Sequence, residues 1–440
     1  MVSFALEDAQ SQMQATARQF AQREIAPVAD AVRRRLATMG ETAPPAWDLV
    51  RPVYARAAAL GFHRLLIPEA YGGLGGSVLD HALVMEEFGA ADHGIAAGYF
   101  NVSATAPVIL AAGGSPAQKA RWLTEIAAAD DYVLASASSE PGVAGADSFY
   151  EGEDPTIGLS TTARREGETW VLKGRKSGFA TNAGAARLYF VMARTALDRP
   201  ARASTSMFLV PADTPGLVLG SQTRLIGWQA AMQGEVLLDE ARIPADHLVG
   251  GEGGNDALFF LKALPVIACG LAATFVGLAR AAYELADRYA GDRRSWGAPI
   301  ASHTPVAIRL ADMATDLEAA RLMVWRLADA ADRGLPDALW LAPAAKSFAV
   351  EVAIRNAERA VKILGSYGVT QDFAAGRHLA DAWIGDCCDG THDMLRLSAA
   401  RMLGMLRGGA MPGVPGQLAP PGGGGQMAPP AAVRAGGMAR

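Results

Sequence analysis

The sequence predicts an α+β protein in three parts: a helical N-terminal part, a middle part of short antiparallel strands, and a C-terminal antiparallel helix bundle. Three observations predict it. Apolar residues recur at helical spacing up to about residue 130. From about 131 to 245 the chain breaks into short runs rich in β-formers and bounded by turn residues. From Asp256 to about Leu406 the helical pattern returns in long stretches.

In the first part, Phe4 to Val32 reads as a helix cut by Pro27, and Ala46 to Leu60 as a second helix ended by Gly61. A glycine-rich connector, Pro68 to Gly76, follows; it lacks the spacing of a phosphate-cradling loop. Asp80 to Ala91 and Ala117 to Ala129 read as further helices. In the second part the strands expected are Tyr132–Ser138, Trp170–Lys173, Leu188–Arg194, Thr205–Val210, Leu217–Leu219 and Gly234–Leu238, with Asp147 to Ile157 a polar loop. No long helix fits between them, which favours an antiparallel barrel or sandwich over a doubly wound sheet. In the third part, Leu258–Ala290, Thr304–Asp332, Pro336–Leu364 and Asp393–Leu406 have the length and apolar stripes of a bundle. Gly408 to Arg440 is rich in Gly, Pro, Met and Ala without a period; it cannot bury a core and reads as disordered. The domains expected are therefore 1–130, 131–245 and 250–407, followed by the 408–440 tail.

Composition narrows the function. Of 440 residues half are hydrophobic and 19% charged, and the formal charge is −5, so the chain as a whole has no electrostatic pull toward nucleic acid. Three cysteines, Cys269, Cys387 and Cys388, are no disulfide framework; they suit a reducing compartment and point to the cytoplasm. The N-terminus lacks the basic start and apolar run of a secretory signal. No membrane span is expected, Ala263 to Ala279 coming nearest.

Several motifs occur in an order that resembles the acyl-CoA dehydrogenase family, over roughly residues 5 to 406. Leu60-Gly61 with Ile67-Pro68-Glu69-Ala70-Tyr71-Gly72-Gly73-Leu74-Gly75 is similar to its N-domain signature. Gln118-Lys119 with Trp122-Leu123 is similar to the segment entering its β domain. Ser139-Glu140-Pro141-Gly142 resembles a Thr-Glu-Pro-Gly turn, and Gly174-Arg175-Lys176 with Phe179-Ala180-Thr181-Asn182 resembles a flavin-flanking strand. Tyr289-Ala290, Arg293 and Ser295-Trp296-Gly297 resemble the end of the first bundle helix, and Leu310-Ala311-Asp312-Met313 the second helix. Gly365-Ser366-Tyr367-Gly368 resembles a Gly-Gly-x-Gly bend, and Asp381-Ala382 with Asp389-Gly390-Thr391 an Arg-Asp-Ala…Glu-Gly-Thr stretch.

The resemblance implies a helical domain, a β-barrel domain and a four-helix bundle, with FAD between barrel and bundle and a neighbouring subunit closing the site. It implies α,β-dehydrogenation of an acyl thioester, a homotetramer or homodimer, and an electron-transferring flavoprotein as acceptor. Asp389 takes the position of the α-proton base; the same Asp-Gly-Thr could also be an ordinary turn, and Asp386, His392 and Asp393 are its local rivals. Relatives usually carry Glu there, and the shorter side chain sets the oxygen about 1.5 Å back; the resemblance to relatives that oxidise alicyclic acyl-CoAs with an Asp base implies a bulky or ring acyl group. Ser139, with backbone from Ala137 and Ser138, faces the flavin on this reading, Thr181 donates to it and Phe179 covers it, with one extra residue between Lys176 and Phe179. Arg293 and Ser295 reach the pyrophosphate of a neighbouring subunit's FAD, Arg offering a two-pronged donor, and Trp296 packs nearby. Lys362, Gly365 and Ser366 approach the adenosine half, and Thr391 and Asp393 the adenine. Cys388 and Gly390 border the substrate, Cys388 as a small pocket wall.

Three departures from the family pattern occur, and the last two are at positions that bear on CoA or acyl binding in relatives. Ala380 replaces the Arg of Arg-Asp-Ala, Ala146 replaces a Ser of the substrate-binding loop, and no Arg stands near Ala268. The substrate is thus an acyl-CoA or a carrier-bound acyl group. A flavin monooxygenase on the same fold is the alternative, opposed by the carboxylate at Asp389. A non-enzymatic FAD-bearing binding protein, for instance one for nucleic acid, is opposed by the charge.

Overall fold

The computed structural model describes residues 5–40, 43, 46–144, 147, 152–254 and 262–406; Ala146 and the 408–440 tail lie outside the described residues. Helices α1 (Asp8–Phe20) and α2 (Ala26–Met39) are joined by a wider turn at Ala21–Ile25, so Pro27 opens α2 rather than breaking the chain. Pro is tolerated there because a first-turn N–H has no partner within the helix. Helix α3 is Trp47–Ala59 and α4 is Val78–Ala91. Ser77 caps α4: its hydroxyl accepts from Asp80 N (3.0 Å) and Asp80 Oδ2 accepts from Ser77 N (2.9 Å).

Sequence periodicity misses the stretch His93–Gly113, which is helical throughout as α5 (His93–Phe100), a wide turn and α6 (Ala106–Gly113). It is apolar on every side, so no stripe marks it. With Leu264–Asp292 it is one of two described helical stretches long and apolar enough to cross a membrane, and most of each is buried inside the fold. The expectation that only Ala263–Ala279 comes near that length is corrected accordingly.

The middle part is one eight-stranded sheet, ordered β6 (Leu217–Gln222), β7 (Gln233–Pro244), β3 (Thr169–Thr181), β2 (Thr162–Glu166), β4 (Leu188–Arg194), β5 (Thr205–Pro211), β8 (Leu248–Val249), with β1 (Leu134–Ala137) on β4. The expected antiparallel pairing holds except at β4, which pairs parallel with β1 and, at one residue pair, with β2. Asn182, in the left-handed region (φ 68), donates from Nδ2 to Gly98 O (2.8 Å) and Leu134 O (3.0 Å), tying the end of β3 to α5 and β1.

Two short helices, α7 (Pro116–Gln118) and α8 (Thr124–Ala128), stand either side of a wide turn, and the bundle has α9 (Leu264–Asp292), α10 (Thr304–Asp332), α11 (Asp337–Leu364), α12 (Ala375–Cys387) and α13 (His392–Leu406). The helix α12 was not legible beforehand; the other four match expectation closely. One continuous core runs through the N-terminal helices, the sheet and α9 to α12. At its centre α4 and α9 cross with almost no gap: a Cβ on Gly277 would lie 2.0 Å from Glu86 O, and one on Gly89 2.2 Å from Thr274 O. Beside that crossing, buried Glu87 receives Arg18 and Arg280, and Glu86 receives Arg321, joining α1, α4, α9 and α10. Burial pushes the Glu87 carboxyl up, and the two guanidiniums more than reverse that, holding it below its ordinary value.

The crossing predicts opposite effects for two glycines of α9. Gly277→Val overpacks a backbone contact and should cost at least about 1–3 kcal/mol. Gly291→Ala meets nothing within 4 Å and should gain up to about 1 kcal/mol. Thermal unfolding of the two variants measures both.

Candidate active site

The sequence places its chemistry on two surfaces, and the fold holds each by different means. The first is built from the end of β1 and the bulged part of β3. Beyond Ala137, the turn Ser138–Gly142 is anchored by Glu140, whose carboxylate pairs with Lys176 Nζ at 2.7 Å, both side chains fully buried. Glu140 also accepts from Ser160 N (2.7 Å), Ser160 Oγ (2.5 Å) and Thr161 N (3.1 Å). Burial drives this carboxyl up, but Lys176 and those donors outweigh it and bring it down to about 2. Burial likewise takes the Lys176 amine down to about 8 despite Glu140. Lys176 also donates to Ser138 O (3.2 Å), Ser177 N to Ser139 O (2.9 Å), and the Ser139 and Ser177 hydroxyls meet at 2.7 Å. The backbone of Ser138 and Ser139 is therefore fixed from β3. Sequence reasoning quoted Glu140 and Lys176 in separate motifs and missed that they are partners; opposite charges in two β-rich segments were the signal available.

The extra residue near Phe179 becomes a bulge: β3 pairs Lys176 with Val236, then Ala180 with Gly234, so Ser177, Gly178 and Phe179 loop out of the ladder. Gly178 leaves room for the Thr223 hydroxyl, which a Cβ there would approach to 2.0 Å and force to turn away. Phe179 stands out 61% exposed, not in the barrel core. Two residues on, the Thr181 hydroxyl accepts from Gln233 Nε2 (2.8 Å), leaving its own proton to donate. An uncovered aromatic face beside a free hydroxyl donor and a fixed Ser138–Ser139 backbone fits a flat heterocycle with a polar edge, such as a flavin.

The second surface is the loop after α12. Cys388 ends that helix in an extended conformation; Asp389 (φ 46) and Gly390 (φ 92) then both turn left-handed before α13. Asp is among the few L residues that enter this region without a large penalty. The Asp389 carboxyl accepts no hydrogen bond from the described residues. Protein on its inner side lifts its pKa above the ordinary carboxylate value, with the Lys346 ammonium opposing; its outer side is open to solvent. Of the rivals, Asp386 is engaged by His392 Nδ1 at 2.8 Å, and Asp393 is exposed on the first turn of α13. The nearest carboxylate in the described part of α9 is Glu284, exposed and beside Arg280. Cys388 is half-buried, and burial pushes its thiol up to about 12, which keeps it an uncharged wall. No metal-binding cluster occurs among the described residues.

The two surfaces are mechanically joined. Gln233, which holds Thr181, begins β7; five residues before it, Trp228 donates its backbone N–H to Asp381 Oδ1 (2.6 Å) and its indole N–H to Asp381 O (3.1 Å). Asp381 lies on α12 eight residues, about two turns, before Asp389.

Six of the remaining cofactor residues gather elsewhere, whereas Thr391 and Asp393 stay beside Asp389. Arg293 leads into a hairpin pairing Arg294–Ser295 with Ala298–Pro299, turned by Trp296 (φ 48) and Gly297 (φ 80). Trp296 is 97% exposed, and Arg293 and Ser295 are exposed beside it. Lys362, Gly365 (φ 60) and Ser366 are exposed at the bend ending α11. Tyr289 links hairpin and bend, its ring 6.4 Å from Tyr367 and 5.7 Å from Phe373. Tyr289 and Phe373 pack on a second, smaller hydrophobic cluster, separate from the main core that carries Ala137 and Ala180. Thr391, exposed, accepts from Leu395 N through its backbone at the start of α13.

Comparison with known proteins agrees. The N-terminal, middle and C-terminal domain models of acyl-CoA dehydrogenase match residues 7–130, 135–241 and 259–404. The chain is 34% identical to an acyl-CoA dehydrogenase of Bacillus subtilis over 399 residues, covering 90% of this chain and 97% of that protein. It is 32% identical to the cyclohex-1-ene-1-carbonyl-CoA dehydrogenase of Geobacter metallireducens, covering 82% and 94%. The structure of butyryl-CoA dehydrogenase from Megasphaera elsdenii superposes with a TM-score of 0.82 at 27% identity, covering 91% of this chain and all of that one. With its three-part fold and these matches, the chain belongs to the acyl-CoA dehydrogenase family and is an FAD-dependent oxidoreductase acting on CH–CH bonds.

Proposed function

We propose that this chain dehydrogenates an acyl thioester between its α and β carbons, with Asp389 as the base that takes the α proton. The observation that carries this reading is the Asp389 carboxyl itself: unpartnered, raised in pKa, and set on a left-handed turn at the end of a helix tied to the Thr181 face. A thioester α proton is weakly acidic, so a base held close and partly desolvated is needed. Bound FAD would supply the acceptor for the β hydride. Thr181, Phe179 and the Ala137–Ser139 backbone would hold its ring, and Arg293, Ser295, Trp296, Lys362, Gly365, Ser366, Thr391 and Asp393 its adenosine and phosphate parts. Of the second group, Arg293, Ser295, Trp296, Lys362, Gly365 and Ser366 sit beside the smaller hydrophobic cluster rather than the main core, which supports a homotetramer or homodimer in which each copy completes a neighbour's site.

The substrate proposed is an acyl-CoA, or a carrier-bound acyl group, that is branched or alicyclic. Asp389 reaches about 1.5 Å less far than Glu would, and Cys388 and Gly390 leave the wall beside it small. The resemblance to an enzyme named for a cyclic acyl-CoA supports the same reading. An electron-transferring flavoprotein would reoxidise the enzyme, and the compartment proposed is the cytoplasm.

Anaerobic mixing of the yellow protein with acyl-CoAs tests this. Asp389→Asn should slow flavin bleaching by about 10²–10⁴-fold; bleaching at the parent rate would remove the base assignment. Cyclohexanecarbonyl-CoA should bleach faster than butyryl-CoA, and the reverse order would remove the ring preference. The base works only when ionised, so the parent rate should rise with pH. Its midpoint should lie above the ordinary Asp value of about 4, read from the same traces across pH.

A further inference from the structure

Helix α11 buries a lysine where the bundle core should be apolar. Lys346 is 2% exposed and has no carboxylate partner among the described residues. Its ammonium instead donates to Gly385 O (2.7 Å), Cys388 O (2.6 Å) and Gly390 O (3.1 Å). An ammonium has three N–H donors, and all three are spent on this one loop. Burying such a charge is costly unless every donor is met. The acceptors are the carbonyls at the end of α12, where the helix dipole favours a cation.

The placement of those acceptors is specific. Cys388 and Gly390 flank Asp389, and both carbonyls are drawn to one nitrogen. With the Cys388 carbonyl just before it and the Gly390 carbonyl one residue beyond it fixed to a common point, Asp389 is held in its left-handed conformation (φ 46), one that costs an L residue free energy and persists where its surroundings hold it. The same cation is the charged group acting on the Asp389 carboxyl. Other titratable groups on the elements around the loop are Glu351 on α11, Asp386, Cys387 and Cys388 on α12, and His392, Asp393 and Arg396 on α13. Asp386 is occupied by His392, and Glu351 by Arg355 and Arg396.

We infer that Lys346 is a positioning residue for catalysis: by clamping the carbonyls on both sides of Asp389 it sets where the base points. This rests on the assignment of Asp389 as base. Lys346 touches neither thioester nor flavin; it acts through the loop.

The test uses the FAD-loaded full chain and its Lys346→Met, Lys346→Arg and Asp389→Asn variants. Flavin reduction by butyryl-CoA is timed anaerobically across pH, and binding of crotonyl-CoA, which is already unsaturated, is titrated separately. Lys346→Met should reduce its flavin about 10²-fold more slowly, the scale of a base misplaced by about 1 Å. It should bind crotonyl-CoA within about twofold of the parent. Its pH midpoint should move upward, because removing the cation makes Asp389 harder to ionise. Lys346→Arg keeps a cation but cannot bring three donors to one point; it should lose rate with its midpoint near the parent's, and it decides the matter if the Met variant does not hold FAD. Parent-like reduction in the variants that hold FAD overturns the proposal. So does an equal loss of rate and crotonyl-CoA binding, which would mark Lys346 as merely structural. If Asp389→Asn is as fast as the parent, the base assignment itself fails. If Asp389→Asn is slow while the Lys346 variants are fast, only the clamp fails.

Discussion

Everything proposed for this site depends on the paired bonds from Trp228 to Asp381. The loop carrying Trp228 joins β6 to β7, and β7 begins with the residue that holds Thr181. The helix carrying Asp381 ends at the loop that holds Asp389. Two short hydrogen bonds thus connect a sheet and a helix bundle that share no regular secondary-structure pairing. Asp381 is buried, and burial, with Asp92 nearby, raises its pKa. The stacking of His93 on Trp228, rings 5.1 Å apart, closes the joint from the N-terminal side. All three parts of the chain therefore meet at one indole.

The same economy recurs at three other buried charges. Glu87 joins three helices through two arginines, Glu140 and Lys176 lock a turn to a strand, and Lys346 gathers a loop. Buried ion pairs are weak evidence for stability, because desolvation offsets most of their attraction. Their common feature here is position: each sits between elements distant in sequence, where a misfit would leave an unpaired charge in a dry interior. They act as checks on geometry more than as sources of binding energy.

Much of this was legible in the sequence, for physical reasons. Thr304–Asp332 was read to the residue because its apolar stripe is regular and His303 and Arg333 bound it. Leu188–Arg194 was likewise exact, being a β-branched and aromatic run between turns. His93–Gly113 was not legible, since an element buried on all sides has no period to detect. Helix α12 was hidden because Asp381, Asp386 and the glycines obscure its apolar face. The motif order pointed to Asp389 and to the Phe179–Thr181 segment as candidates. It did not reveal the bulge that turns Phe179 outward, or that Lys346 and Gly390 meet, because contacts across 44 residues leave no local trace.

The burial of α5 and α6 also has a consequence during synthesis. The His93 ring lies 4.2 Å from that of Phe275 and bonds Thr274, so the start of this apolar stretch is covered by a helix that begins only at Leu264. At roughly 5–20 residues per second on the ribosome, that cover arrives roughly 8–30 s later. For that interval Tyr54 and Phe88, made earlier, already pack on Tyr99, while the His93 side of the emerging helix waits for its native mate.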